Sequence, residues 1–429
     1  MNLSSIVHAS WFYYRLWIAP FALLFSFSAA GSAVDSWTRR ADFPGAARIN
    51  AVSFVVHGQA FTGTGEDSQG NLLSDFWKFD PDLDTWSQVA DFAGGGRKGA
   101  VGFSIDTLGY VGTGYDGVQF RKDFWQFNPV TNSWQSTQEL GLYNAIAITN
   151  GRRDATAVVV ESKAYVICGY DGSSGYLKQT WQFDPAADTC WTLKRNLGNV
   201  SDLVLFGRRW GVGFAIQDTV YFGTGFSFSQ DLKKDFWKYN PLLDAWTQLA
   251  DFSGDYRSNA TGFSLFNKGY IACGTTNSYQ NDVWRYDPFF NFWTAVSSYG
   301  GSPVCNGISF VINNRAFVGL GNDSLYNFKS DLWEYIPDST SGIPENGDVF
   351  SIKISPNPVR SFMEIYSEKT GTENKAVFSL YNSSGRLCFQ QVLTDSRTLL
   401  DCREFPGGIY FYSVSDGHKK NTCGKIIVH

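Results

Sequence analysis

The sequence predicts an all-β protein in which a six-bladed β-propeller precedes a small β-sandwich. Three observations support this fold class. A segment built around two tryptophans recurs along the chain, apolar and polar positions alternate in the C-terminal residues, and no stretch shows helical periodicity. Aromatic residues make up 17% of the 429 residues, which favours many short strands.

The repeated segment sets the number of blades. Its clearest copies are Asp75–Trp86, Asp123–Trp134 and Asp235–Trp246. The first tryptophan of each copy, looser copies included, is Trp77, Trp125, Trp181, Trp237, Trp284 and Trp333. The spacing of 47 to 56 residues is that of one four-stranded propeller blade.

Each unit predicts four strands, named A to D in chain order. An arginine opens apolar strand A, strand B ends near Gly-Thr-Gly, strand C carries the first tryptophan, and strand D begins at the second. The sixth unit lacks its second tryptophan, whereas the N-terminal segment around Trp37 reads like a strand D. We therefore expect residues 36–42 to complete the last blade and close the ring.

The chain also divides into segments of different composition. Arg15, the apolar run from Leu16 to Ala30 and the small residues before Val34 predict a signal peptide at 1–33. An uncleaved membrane anchor is the alternative. The propeller is expected at 34–337, a polar linker at 338–348 and a second domain at 349–429.

The repeat resembles a known family. Residues from Arg48 to Trp86 and their five relatives are similar to kelch repeats, with Gly-Thr-Gly where kelch repeats usually show a glycine doublet. The resemblance covers residues 36–337 and implies a kelch-type propeller. It says little about function, because propellers of this kind include both binding modules and enzymes.

The C-terminal domain reads as six or seven short strands, which predicts an immunoglobulin-like sandwich. Ser355–Pro358, Ser384–Arg386, Pro406–Tyr410 and Lys425–Val428 resemble the C-terminal sorting domain of the type IX secretion system. That resemblance implies export across the inner membrane, recognition by the type IX machinery, and secretion or attachment at the outer-membrane surface. An ordinary accessory sandwich is the alternative.

The sequence shows no recognisable catalytic apparatus, and we expect no cofactor or metal. Galactose oxidase, a kelch enzyme, needs two histidines with tyrosines for copper, whereas His57 is the one histidine of the predicted mature propeller. Cys168 and Cys273 are expected to be small buried residues, while Cys388, Cys402 and Cys423 leave one bridge possible. The net charge of −5 argues against nucleic-acid binding, and we expect a monomer.

Candidate site residues collect on one face. The loops from strand D to the next strand A, and from strand B to strand C, emerge on the same side of a propeller, beside its channel. Arginines, aromatic residues and acids recur there and suit an anionic or sugar-like ligand. The candidate ligand-binding residues are Arg48, Arg97, Arg152, Arg153, Arg208, Arg209, Trp210, Arg257, Tyr115, Asp116, Tyr170 and Asp171.

Structural roles remain open for several of these residues. Each recurring arginine could instead pair with the aspartate that opens strand C, and Trp210 could be filler beneath a loop. Trp210 nevertheless breaks the repeat, because the equivalent residues of the other blades are small or polar. The sequence thus favours a secreted or surface-held module that binds a glycan or a protein. The alternative is a sugar-modifying enzyme similar in plan to bacterial sialic acid mutarotases, and a scaffold in surface assembly is a third possibility.

Overall fold

The computed structural model describes residues 35–337 and 352–428. Left out within these ranges are 144–145, 148–149, 174, 199–206 and 229–230, then 368–375, 383–386, 394, 396 and 416–420. The predicted signal peptide and linker therefore lie outside the described residues. The described residues contain no α-helix, and hence no helical segment that could span a membrane.

Six four-stranded antiparallel sheets form the blades, each with strand A innermost and strand D outermost. The blades are numbered in chain order, and the strands of each are given from A to D. Blade one consists of Val52–Val56, Gln59–Gly63, Phe76–Asp80 and Thr85–Val89, and blade two of Lys98–Ile105, Leu108–Tyr115, Phe124–Asn128 and Ser133–Thr137. Blade three consists of Thr156–Val160, Lys163–Ile167, Thr180–Phe183 and Trp191–Lys194. Blade four consists of Val212–Ile216, Thr219–Gly223, Phe236–Asn240 and Ala245–Gln248, and blade five of Thr261–Leu265, Lys268–Ala272, Val283–Asp287 and Phe292–Val296. Blade six consists of Ile308–Ile312, Arg315–Gly319, Leu332–Ile336 and Ser36–Arg40. This architecture confirms the predicted fold class.

Burial follows position within the blade. In strand A every second side chain is buried, as in Val52–Val56, and the residues between them are partly exposed. Strand B is buried along nearly its whole length, as in Gln59–Gly63, since blades cover it on both faces. The aromatic composition seen in the sequence therefore serves the packing between blades.

The N-terminal strand supplies strand D of the sixth blade. Ser36–Arg40 pairs antiparallel with Leu332–Ile336, placing Trp37 opposite Tyr335. The ring of Trp37 also packs edge-on against Tyr299, with centroids 5.2 Å apart. This is the closure that the tryptophan pattern predicts, and it leaves neither terminal blade with an open edge.

Two sets of indole hydrogen bonds repeat around the ring. In strand C the indole N–H donates to the side chain two residues earlier, an aspartate in five blades, for example Trp237 to Asp235 at 2.7 Å, and Gln179 in blade three. In strand D the indole donates to a carbonyl of the preceding blade, for example Trp134 to Ala90 at 3.0 Å, except at Trp293. Eleven of these twelve tryptophans therefore combine apolar packing with a satisfied polar group and stabilise contacts within and between blades.

The C-terminal domain is a two-sheet sandwich. One sheet contains Ile352–Ser355, Phe362–Ser367 and Arg397–Asp401; the other contains Leu387–Leu393, Ala376–Asn382, Gly408–Ser415 and Asn421–Val428. Its core includes Met363, Ile365, Phe378 and Leu380. The seven strands confirm the predicted small sandwich.

The cysteines can be compared with the sequence-based expectations. Cys168 and Cys273 are free thiols with 1% of their surface exposed, so both are the small buried residues that were expected. Cys402 is likewise a buried free thiol. The side chain of Cys423 lies outside the described residues.

Candidate functional site

A closed ring of backbone hydrogen bonds surrounds the mouth of the central channel. One residue of each blade, at or just before the start of strand A, donates its N–H to the carbonyl of the corresponding residue in the preceding blade, at 2.8 to 3.2 Å. The six ring residues are Asn50, Gly99, Asp154, Trp210, Asn259 and Asn306. All six are left-handed, with φ between 53° and 63°. Glycine, asparagine and aspartate adopt this conformation readily, but tryptophan does not.

The channel beneath the ring is narrow. Three consecutive residues of each blade line it, for example Ala51–Ser53 and Gly211–Gly213, and their small side chains leave a cavity of about 190 Å³. Pockets that enclose drug-sized ligands usually measure about 300–1,000 Å³. A sugar-sized ligand is therefore better accommodated at the mouth than inside the channel.

The recurring arginines do not face this mouth. Arg48, Arg97, Arg152, Arg208 and Arg257 have no exposed surface. Arg208 is typical, because its two terminal nitrogens donate to the two carboxylate oxygens of Asp235, both at 2.7 Å, and one also donates to Thr224 O at 3.0 Å. Such a bidentate pair fixes the loop to strand C. The prediction that these five arginines contact a ligand is wrong, because their side chains are buried in the blades.

We call each of these arginine–carboxylate pairs a staple, and blade three contains a variant of it. Gln179 replaces the aspartate and accepts a hydrogen bond of 2.6 Å from Arg152. Burial lowers the pKa of Arg152 to about 10. The neutral partner fits this shift, since a carboxylate would favour the charged guanidinium.

The residue after each recurring arginine lies beside the mouth. In blades two, three and four it is Lys98, Arg153 and Arg209, paired respectively with Tyr115 at the end of strand B and with Tyr170 and Phe226 of the loop between strands B and C. In blades one and five it is Ile49 and Ser258, and in blade six Cys305 follows Val304, which replaces the arginine; Ser258 and Cys305 are buried. Cations and aromatic rings therefore occupy one half of the mouth.

Two of these arginines lie among aromatic rings. The guanidinium of Arg209 is 3.6 Å from the ring centroid of Trp210 and 5.1 Å from that of Tyr170. The guanidinium of Arg153 is 5.7 Å from the centroid of Tyr115 and 6.0 Å from that of Tyr170. We call Arg153, Asp154, Arg209, Trp210, Tyr115, Tyr170 and Phe226 the cation–aromatic cluster.

Asp154 lies between the two arginines. Its Oδ2 is 3.4 Å from Arg153 Nε and 3.7 Å from Arg209 Nη1. Burial raises the pKa of Asp154, and the two arginines oppose that shift. Gly99 provides the space, because a Cβ there would lie 2.3 Å from Asp154 Oδ1.

Several polar atoms of the cluster have no well-aligned hydrogen bond. Within the described parts of the chain these buried atoms are Arg153 Nε, Asp154 Oδ2, Arg209 Nε and Trp210 Nε1, although the carboxylate forms ion pairs with the two guanidinium groups. Buried polar groups usually make well-formed hydrogen bonds, so the cluster has hydrogen-bonding capacity left for a ligand or for ordered water. One carboxylate set against two guanidinium groups leaves the cluster with a net positive charge.

The two candidate aspartates have structural roles. Asp116 accepts backbone hydrogen bonds from Val118 and Gln119 at 2.9 and 2.7 Å and pairs with Arg121 at 2.6 Å. Asp171 accepts the backbone N–H of Gly175 at 2.8 Å. Both carboxylates shape the loops that carry Tyr115 and Tyr170, and their direct contact with a ligand stays a prediction.

Sequence reasoning missed Asp154 and Phe226, although two signals were available. Asp154 occupies the position equivalent to Trp210 in the preceding blade. The loops that enter strand A are also longer in blades three and four, where the staple arginine follows the second tryptophan by 18 and 17 residues instead of 11. These two longer loops lead directly into the doubled arginines of the cluster.

The described residues contain no group of three or more His, Cys, Asp or Glu side chains arranged to hold a metal ion. His57, the one histidine of the predicted mature propeller, is exposed in the turn between strands A and B of blade one, with φ of 51°.

Comparison with known proteins identifies the C-terminal domain. Residues 353–429 match the family described as the secretion system C-terminal sorting domain. The chain is a cargo of the type IX secretion system. Such cargo is exported to the cell surface or the extracellular space, which confirms the predicted localisation.

Two further similarities concern this cargo. It is 30% identical over 105 residues to a funoran endo-beta-hydrolase of Wenyingzhuangia aestuarii, spanning 24% of this chain but 14% of that protein. A solved structure of YjhT is similar with a TM-score of 0.55 and 18% identity, covering 68% of this chain and 96% of that one. At this identity the likeness speaks for the fold alone.

Proposed function

We propose that this exported propeller binds an acidic glycan at the cation–aromatic cluster. The observation that carries the proposal is the stack of Arg209 on Trp210, with the guanidinium 3.6 Å from the ring centroid, beside the second guanidinium of Arg153 and the aromatic rings of the cluster. Aromatic faces pack against sugar rings, and guanidinium groups bind carboxylate or sulfate oxygens. The cluster offers both within one half of the channel mouth.

The strained backbone of Trp210 supports a binding role. Its φ of 59° belongs to a conformation that costs a bulky residue about 1–2 kcal/mol. Three of the six ring residues are asparagines that meet the same requirement without such a cost. Strain of this kind often occurs where a side chain is needed for function rather than for stability.

A binding experiment tests the proposal directly. The purified protein is screened on polyuronates and sulfated galactans, each beside its carboxyl-reduced or desulfated counterpart, and hits are measured by calorimetry. We expect acidic forms to bind, their neutral counterparts to bind poorly, and Arg209→Gln to weaken binding at least tenfold, since a charged hydrogen bond contributes about 1.5–3 kcal/mol.

The matched control is Arg195→Gln. The Arg195 side chain is exposed next to strand D of blade three, on the outside of the propeller, so the same loss of charge should leave affinity unchanged. Equal losses from both variants would reduce the effect to net charge and contradict a defined site.

Asp154 favours a second candidate function. A buried carboxylate with a raised pKa, held between two arginines, is the kind of group that accepts a proton in a sugar-modifying enzyme such as a mutarotase-like epimerase. NMR measurement of anomer exchange in N-acetylneuraminic acid and galacturonic acid tests this alternative. Exchange that accelerates with protein concentration and is lost in Asp154→Asn would favour the enzyme over a binding module.

A further inference from the structure

The other half of the channel mouth carries a directional chain of side-chain amides. Asn259 Nδ2 donates to Asn306 Oδ1, Asn306 Nδ2 donates to Asn322 Oδ1 at 3.1 Å, and Asn322 Nδ2 donates to Tyr279 Oη at 3.0 Å. The chain starts at two ring residues of blades five and six and ends in the loops between strands B and C. Asn322 is 2% exposed, so the far end of the chain is held firmly.

Backbone conformation alone does not explain this chain. Asparagine suits the left-handed positions of the ring, which accounts for Asn259 and Asn306 themselves. Asn322 and Tyr279 lie outside the ring, yet they orient the amide of Asn306. An oriented polar chain next to a mouth resembles the supporting network of a binding site, because it fixes donors and acceptors before a ligand arrives.

The contacts leave a defined pair of groups for a ligand. Asn259 uses one Nδ2–H on Asn306, and its Oδ1 accepts from Ser258 at 2.8 Å. Asn306 uses both Nδ2–H groups, on Asn322 and on the sulfur of Cys305 at 3.1 Å. Among the described contacts, one Nδ2–H of Asn259 and one lone pair of Asn306 Oδ1 remain. A donor next to an acceptor matches a sugar hydroxyl, which both donates and accepts.

The two halves of the mouth therefore differ in chemistry. Blades three and four have Arg153 and Arg209 beside the mouth, whereas blades five and six have the uncharged, buried residues Ser258 and Cys305 at the same positions, next to neutral amides. We propose that Asn259 and Asn306 form a hydroxyl-binding subsite, so that an acidic glycan lies across the mouth with its anionic group at the arginines. This inference rests on the proposed function and specifies how the ligand is oriented.

The test exploits the tolerance of the ring for glycine. Gly99 already occupies one ring position with φ of 63°, so Asn259→Gly/Asn306→Gly removes both amides while keeping a permitted backbone. The probes are hexagalacturonate and a sulfated galactan hexasaccharide, each with its O-methylated derivative, measured by calorimetry. The carboxylate and sulfate arms show which anion the cluster takes.

We expect the wild-type protein to prefer the native hexasaccharide over its O-methylated derivative, and the double variant to bind the native form about tenfold more weakly, as expected for one or two lost hydrogen bonds. The preference should largely disappear in the double variant. The control is Asn314→Gly, an exposed residue with φ of 61° in the strand A to strand B turn of blade six, which should change nothing.

The outcomes separate the two proposals. A double variant that retains the wild-type preference, while Arg209→Gln loses affinity for native and methylated forms alike, would refute the hydroxyl subsite and leave the proposed function standing. A wild-type protein that binds neither acidic hexasaccharide would refute the proposed function, and the subsite with it. Melting curves of each variant exclude unfolding as the cause of a loss.

Discussion

Trp210 provides the sharpest test of the candidate site. Replacing it by asparagine gives its ring position the residue already present in three other blades, so the backbone hydrogen-bond ring should persist. If Trp210 is a stacking platform, Trp210→Asn should abolish glycan binding and leave the melting temperature nearly unchanged. If it is packing, the same change should destabilise the fold.

The expected magnitudes follow from local geometry. Relief of the left-handed φ of 59° should return about 1–2 kcal/mol, while loss of the Arg209 cation–π contact should cost roughly 0.5–2 kcal/mol. These terms nearly cancel. The control is Trp237→Ala in the same blade, where 1% of the side chain is exposed and truncation should cost about 3–5 kcal/mol.

The assay is a pair of melting curves combined with calorimetric titration of the glycan. At about 2–4 °C per kcal/mol for a large domain, Trp237→Ala should lower the melting temperature by roughly 6–20 °C, and Trp210→Asn by only a few degrees. Matched falls in melting temperature for the two variants would show that Trp210 is packing and remove it from the site. Retained binding by a folded Trp210→Asn protein would be equally decisive.

Four further predictions concern the closure, the tail, the staples and pH. A truncation that starts at residue 44 should lose solubility or melt far lower, and unchanged stability would refute closure by the N-terminal strand. Without the sorting domain the propeller should still fold but remain periplasmic in a host with type IX secretion, so normal surface delivery would contradict the role of the tail. Arg97→Met should lower the melting temperature more than Arg152→Met, because Arg97→Met leaves the carboxylate of Asp123 without its arginine, whereas the partner of Arg152 is the neutral Gln179. Equal decreases in melting temperature would contradict this reasoning. Burial raises the pKa of Asp154, so the stability of the fold should decrease as pH rises through that pKa. Affinity for a sulfated glycan should increase as pH falls, because protonation of Asp154 removes the anion that competes for the arginines. An Asp154→Asn variant whose stability and affinity do not change over this pH range would confirm the cause.

Much of the fold could be predicted because every blade of a propeller requires the same strands and turns in the same order. Each blade needs an aromatic strand C, a turn and an aromatic strand D, so Trp237 and Trp246 in one blade have counterparts in the others. The missing partner of Trp333 pointed to Trp37 for the same reason. Period and pairing are sequence properties of a repeat, and the structure follows them.

The arginines show where such reasoning stops. Arg208 and Arg209 are neighbours of identical type, but one is buried on Asp235 while the other stacks on Trp210. The difference arises from alternation along an extended segment, in which successive side chains point to opposite sides. Sequence alone could not say which side faces the loop and which faces the mouth, because the register of the two-residue pairing with Phe226 and Ser227 was not known.

The ring explains why deviation from the repeat is informative here. Its six positions share one backbone conformation and one hydrogen-bond role, so the fold asks for the same kind of residue in every blade. Asparagine and glycine satisfy that demand. Asp154 and Trp210 depart from that pattern with a buried carboxylate and a strained indole, and they occur in adjacent blades that longer loops enter. The backbone role of the ring requires neither side chain, so we propose that the contacts which they make with Arg153 and Arg209 at the mouth serve a ligand.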